Sequence, residues 1–100
     1  MTAKSKRFLD EINTGVLVGD GAIGTELLSR GAPPETGIER LNLNAPDMVR
    51  ALHRDYIDAG SRLIETNTFG ANPFHLAGFG ADSMYRDIIS AGTKLAIDIA

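Results

Sequence analysis

The chain has 100 residues, 43% of them hydrophobic and 23% charged, with a formal net charge of -3 and no cysteine. That length and mix suit one small globular domain. The acidic balance argues against a nucleic-acid-binding surface, and the lack of cysteine excludes disulfides and any thiolate metal site built from this chain alone.

No run of about 18 apolar residues is present to span a bilayer. Lys4, Lys6 and Arg7 are not followed by the apolar stretch of a secretory signal, so the expectation is a cytoplasmic protein without membrane or nucleic-acid partners. Those basic residues read as the solvated face of a first helix over residues 3 to 14. Phe8, Leu9 and Ile12 form its apolar stripe and Gly15 its stop. Val16 to Val18 predicts a short buried strand, and Thr25 to Arg30 a short helix closed by Gly31. Pro33 and Pro34 open a loop that runs to about Asn44.

The next helix has the clearest signals. Pro46 stands in its first turn, where a missing N–H costs nothing, and Asp47 suits the positive end of the dipole. Met48, Val49, Leu52, Tyr56 and Ile57 follow at helical spacing, and Gly60 closes it. Arg62 to Thr66 predicts a second strand centred on Leu63 and Ile64. Asn67 to Asn72 is a polar loop, and Pro73 ends any strand character before a short helix. Asp82 or Ser83 is expected to cap a last helix carrying Met84, Tyr85, Ile88, Ile89, Leu95, Ala96 and Ile99, whose apolar pattern is still running at Ala100.

Two successive strand-then-helix units imply parallel strands with helical crossovers, which need cover on both faces of the sheet. Two strands are too little sheet for these helices. The expected class is therefore α/β, the opening portion of a larger protein, on the scale of the first quarter of a (β/α) barrel of about 250 residues.

The stretch Val16-Leu17-Val18-Gly19-Asp20-Gly21-Ala22-Ile23-Gly24-Thr25 supports competing functions. Gly19, Gly21 and Gly24 have the G-x-G-x-x-G spacing of a dinucleotide-binding turn, which would make this an NAD(P)-binding oxidoreductase domain. That reading expects an acid at the end of the second strand about 20 residues on. Glu65 lies about twice as far away, and Asp20 would sit against the phosphates. A blander reading has the glycines permitting a tight turn and Asp20 capping the next helix. The second strand end weighs against it. Glu65, Thr66, Asn67 and Thr68 crowd polar groups where a mere connection needs none, and suit a small polar ligand held by several hydrogen bonds. A third possibility is a non-catalytic module that binds a partner through an open sheet edge and exposed helix faces.

The combination GDGAIGT followed by LNLNAPDMVRALHRDYIDAGSRLIETNTFGAN resembles the amino-terminal part of the homocysteine S-methyltransferase domain. That domain occurs in methionine synthases, in enzymes using S-methylmethionine or betaine, and in bifunctional proteins fused to a methylenetetrahydrofolate reductase. The resemblance runs from about Val16 to at least Asn72, with Ile23 standing where methionine is frequent. It implies a (β/α)8 TIM barrel of which residues 1–100 are an incomplete amino-terminal part: a leading helix and two β-α units.

By that resemblance Asp20 contacts the amino group of homocysteine, and the backbone N–H groups of Gly21, Ala22 and Ile23 receive its carboxylate. An amino acid carries both charges a few ångströms apart, which suits an acid beside exposed N–H groups. Glu65 and Asn67 match the family's second strand end, where lining the pocket and bracing the first turn are both open. The resemblance further implies zinc held by three cysteine thiolates from later strands, activating the homocysteine sulfur toward a methyl donor to give methionine. FAD is implied only if a reductase domain follows. None of those cysteines lies in this chain, and two histidines cannot complete such a site. His53 reads as a surface or packing residue, and His75 as a structural residue near the pocket mouth. The chain alone is expected to be inactive, and its residues do not identify the methyl donor.

Overall fold

The structure, a computed structural model, describes residues 2–100 apart from the side chain of Lys4. Helix α1 spans Ala3–Thr14, α2 Gly24–Ser29, α3 Leu41–Asn44, α4 Pro46–Asp58, α5 Pro73–Ala77 and α6 Tyr85–Ile99. Two 3-10 turns, Ile38–Arg40 and Asp82–Met84, lead directly into α3 and α6.

The helix boundaries follow local chemistry. Thr2 caps α1 by accepting the Ser5 N–H at 3.1 Å, and the Gly15 N–H closes it on the Glu11 carbonyl. Gly31 and Gly60, just past α2 and α4, take φ of +102° and +113°, a left-handed backbone that side chains resist. Pro46 sits in the first turn of α4 as expected. Asn72 caps α5 by accepting the His75 N–H at 2.9 Å. The cap expected at Asp82 or Ser83 does not form, because those residues lie inside a 3-10 turn whose ends carry no side-chain cap.

Packing centres on α3, α4 and α6. Leu27, Ala32, Leu41, Val49, Leu52 and Leu95 make one buried cluster, with Ile23 and Tyr56 against it. Ala71, Leu76, Ala81 and Ile88 make a second. Fully burying a side chain such as Leu27, Leu52 or Ile88 contributes about 1.5–3 kcal/mol. Arg30 pairs with Glu26 of α2 and with Asp55 of α4, but these pairs are solvated and contribute little.

Three further expectations differ from the structure. Val16–Val18 and Arg62–Thr66 form no strand among the described residues; they meet in a single parallel bridge between Gly19 and Leu63. The pairing has the expected direction: the Asp20 N–H donates to the Leu63 carbonyl at 2.9 Å and the Arg62 N–H to the Val18 carbonyl at 2.8 Å. It does not propagate because these segments lack cover. Val16 is 93% exposed and Val18 55%, whereas parallel strands persist when both faces are buried.

The stripe of α1 is likewise exposed at Phe8, Leu9 and Ile12. Its expected solvated basic face can be followed at Lys6 and Arg7, both exposed, while the Lys4 side chain lies outside the described residues. The loop expected from Pro33 to Asn44 contains a 3-10 turn and α3, held by long-range contacts that local composition does not reveal. No helix among the described residues is long and apolar enough to cross a membrane.

Candidate functional site

The bridge between Gly19 and Leu63 brings the two polar segments side by side. Asp20, half-buried, follows immediately, and its Oδ2 accepts the Glu65 backbone N–H at 2.9 Å. The contact between the two expected site acids therefore runs from a carboxylate to a main-chain donor. The Glu65 side chain itself is exposed. With one oxygen engaged, the carboxylate keeps acceptor capacity for a further donor.

Gly21, Ala22 and Ile23 carry the chain from Asp20 into α2. Their backbone N–H groups have no acceptor among the described residues. Ile23 holds the N-cap position of α2 and supplies no side-chain cap. Because α2 has only six residues, its macrodipole is small, and what the turn offers an anion is these local N–H donors.

Helix α4 supports the turn from below. Tyr56 Oη donates to the Ala22 carbonyl at 2.7 Å, and Ser61 Oγ, just past the helix, donates to the Gly19 carbonyl at 3.0 Å. A Cβ on Gly21 would stand 3.0 Å from Tyr56 Oη, so glycine permits this approach. Sequence reasoning placed Tyr56 only in an apolar stripe. The signal available was its hydroxyl, which needs a partner once the ring is packed.

Asn67 belongs to a different set of contacts. It is buried, and its Nδ2 donates to the Ile38 carbonyl and to Asn42 Oδ1, both at 3.0 Å. Asn42 Nδ2 donates in turn to the carbonyls of Asn67 at 2.8 Å and Ile88 at 3.1 Å. This network ties the second polar loop to the Ile38 turn, α3 and α6. Thr66 and Thr68 share a hydroxyl hydrogen bond of 2.6 Å beside it. Asn42 was passed over because it falls in the stretch expected to be loop.

The histidines part company. His75 is exposed, lies 3.9 Å from Glu39 through Nε2 and packs its ring on Phe79. It makes no described contact with the Asp20 turn. His53 is fully buried, which removes the surface option, and neither ring nitrogen has a hydrogen-bond partner among the described residues. Burial pushes its imidazole below the ordinary histidine value, with the Asp20 charge opposing that shift.

A histidine whose folded pKa is depressed binds its proton first in the unfolded chain, so its contribution is present above about pH 6.5 and is lost as pH falls toward the folded value. The denaturation midpoint should therefore drop between about pH 7.5 and pH 5.5, and His53→Leu should shrink that drop. An equal drop in the variant would show that other groups carry it.

A family model described as homocysteine S-methyltransferase matches residues 17–100. The chain is 36% identical to the methionine synthase of Mycobacterium tuberculosis over 111 aligned residues, covering all of this chain and 9% of that protein. It is 38% identical to the methionine synthase of Mycobacterium leprae over 100 residues, covering 92% of this chain and 8% of that protein. Against an S-methylmethionine–homocysteine S-methyltransferase of Pongo abelii it is 32% identical over 99 residues, covering 92% of this chain and 24% of that protein. The chain thus spans a small part of each of these relatives.

Proposed function

The chain belongs to the homocysteine S-methyltransferase family, and we propose that its Asp20–Ile23 turn binds the charged end of homocysteine in a protein that methylates the homocysteine sulfur to give methionine. The observation that carries this reading is one carboxylate next to three backbone N–H groups, unengaged among the described residues, within four consecutive residues. Asp20 takes the ammonium, and Gly21, Ala22 and Ile23 take the carboxylate. The zwitterion then lies with its side chain, and so its sulfur, directed away from the turn.

Of the two roles open for Glu65 and Asn67, their contacts favour bracing. The Glu65 N–H fixes the Asp20 carboxylate, and the Asn67 amide is spent on Ile38 and Asn42. In this reading the bridge at Gly19 and Leu63 is the seed of the first two strands of a (β/α)8 barrel, whose active sites lie at the carboxyl ends of the strands. Asp20 and Glu65, which follow the two bridge residues closely, would then stand at such ends.

The zinc centre that the family resemblance implies draws its three cysteines from later strands, so these residues supply none of its ligands. The chain has no cysteine, and no group of three or more His, Cys, Asp or Glu side chains among the described residues could hold a metal. What these residues do is bind and orient the amino-acid end of the substrate.

Titration of the protein in its full encoded length with L-homocysteine and, separately, with NAD+ tests the reading. Saturable homocysteine binding and no NAD+ binding is the expected result. The reverse would favour the dinucleotide reading of the same glycines.

A further inference from the structure

We propose that Tyr56 is a positioning residue that aims the Ile23 N–H at the ligand carboxylate. This rests on the homocysteine reading of the turn. A trans peptide is planar, with its C=O and N–H pointing in opposite directions. Fixing the Ala22 carbonyl on Tyr56 Oη therefore fixes the direction of the Ile23 N–H, on the side of the peptide away from Tyr56.

The same device is visible one step earlier. Ser61 Oγ holds the Gly19 carbonyl, and the Asp20 N–H of that peptide points the other way, onto the Leu63 carbonyl. The Ser61 backbone N–H is itself bonded to the Tyr56 carbonyl at 3.0 Å, so both hydroxyls are carried by one rigid helix end. The two hydroxyls thus grip the carbonyls on either side of Asp20 and Gly21. No side chain at Gly21 intervenes, because a Cβ there would meet Tyr56 at Oη, Cε1 and Cζ within 3.0, 3.5 and 3.6 Å. Ligand contact at this turn thereby depends on a residue that sequence periodicity assigns only to the core.

The test compares L-homocysteine with its decarboxylated analogue, which keeps the amine and thiol but has nothing for the Ile23 N–H to bind. Tyr56→Phe removes one neutral hydrogen bond and should weaken L-homocysteine binding about fivefold while leaving the analogue unchanged. Gly21→Ala keeps the tyrosine but pushes its hydroxyl away, so it should show the same selective loss and serves if Tyr56→Phe folds poorly. Added to Tyr56→Phe, it should cost little more. Equal losses for both ligands, or no loss for either, would overturn the positioning role. Failure of the unsubstituted protein to bind L-homocysteine would instead overturn the reading on which it rests.

Discussion

Asp20→Asn is expected to weaken L-homocysteine binding by about 10- to 100-fold, the equivalent of about 1.5–3 kcal/mol for one hydrogen bond to a charged partner. Asparagine keeps the size of the side chain and an oxygen that can still accept the Glu65 N–H now held at 2.9 Å. What it loses is the negative charge that faces the ammonium. Effects on the fold should be small, which separates this substitution from a disruptive one. Thermal denaturation alongside the binding titration checks both halves. A variant that binds as well as the original protein would remove Asp20 from the site. One that unfolds would show its carboxylate to be chiefly structural.

The largest stability effect is expected at Asn42. Its side chain donates to two buried carbonyls, of Asn67 and Ile88, and accepts from Asn67 Nδ2. Asn42→Ala strips partners from several buried polar groups at once and should cost about 2–4 kcal/mol, since each orphaned group costs about 1–3 and the losses overlap. Asn42→Asp should be worse than alanine, because a carboxylate would face the oxygens of Asn67 and Ile88 without a proton to give. Packing reinforces the point. A Cβ on Gly92 of α6 would lie 2.5 Å from Asn42 Nδ2, so helix and amide meet at backbone distance. Urea denaturation of the two variants gives the order. A milder aspartate would contradict the donor assignment.

These two residues also show what the amino-acid sequence discloses and what it hides. Asp20 could be singled out as a candidate because its signal is local: an acid inside a glycine turn, with a second polar segment at Glu65 to Thr68. That the two segments meet was foreseen. That they meet through the Glu65 main chain was not, since side-chain pattern carries no information about backbone donors. Asn42 was hidden because its function depends on Ile88 and Asn67, 46 and 25 residues away. A stretch of Leu and Asn after two prolines has no periodicity long enough to mark a four-residue helix.

Helix α4 was the easiest element to read, with Pro46 and Asp47 at its start and a stripe through Val49, Leu52 and Tyr56. The strands were overestimated for a physical reason. A run rich in β-branched residues such as Val16 to Val18 becomes a strand when neighbours cover it, and here Val16 and Val18 face solvent. The parallel direction, set by the helical crossover, survives in the one bridge that does form. His53 lay between two readings, and its burial decides for packing.

The central claim is that the Asp20–Ile23 turn binds the charged end of an amino acid, and it is tested most directly by separating the two charges. The full-length protein should be titrated calorimetrically with L-homocysteine and with the analogue that lacks only the amino group. Each titration should be repeated on Asp20→Asn. The expected result is a large preference for L-homocysteine in the original protein that collapses in Asp20→Asn, because both ligands then lack the same interaction. Equal affinity for the two ligands in the original protein, or a preference that survives Asp20→Asn, would contradict the account.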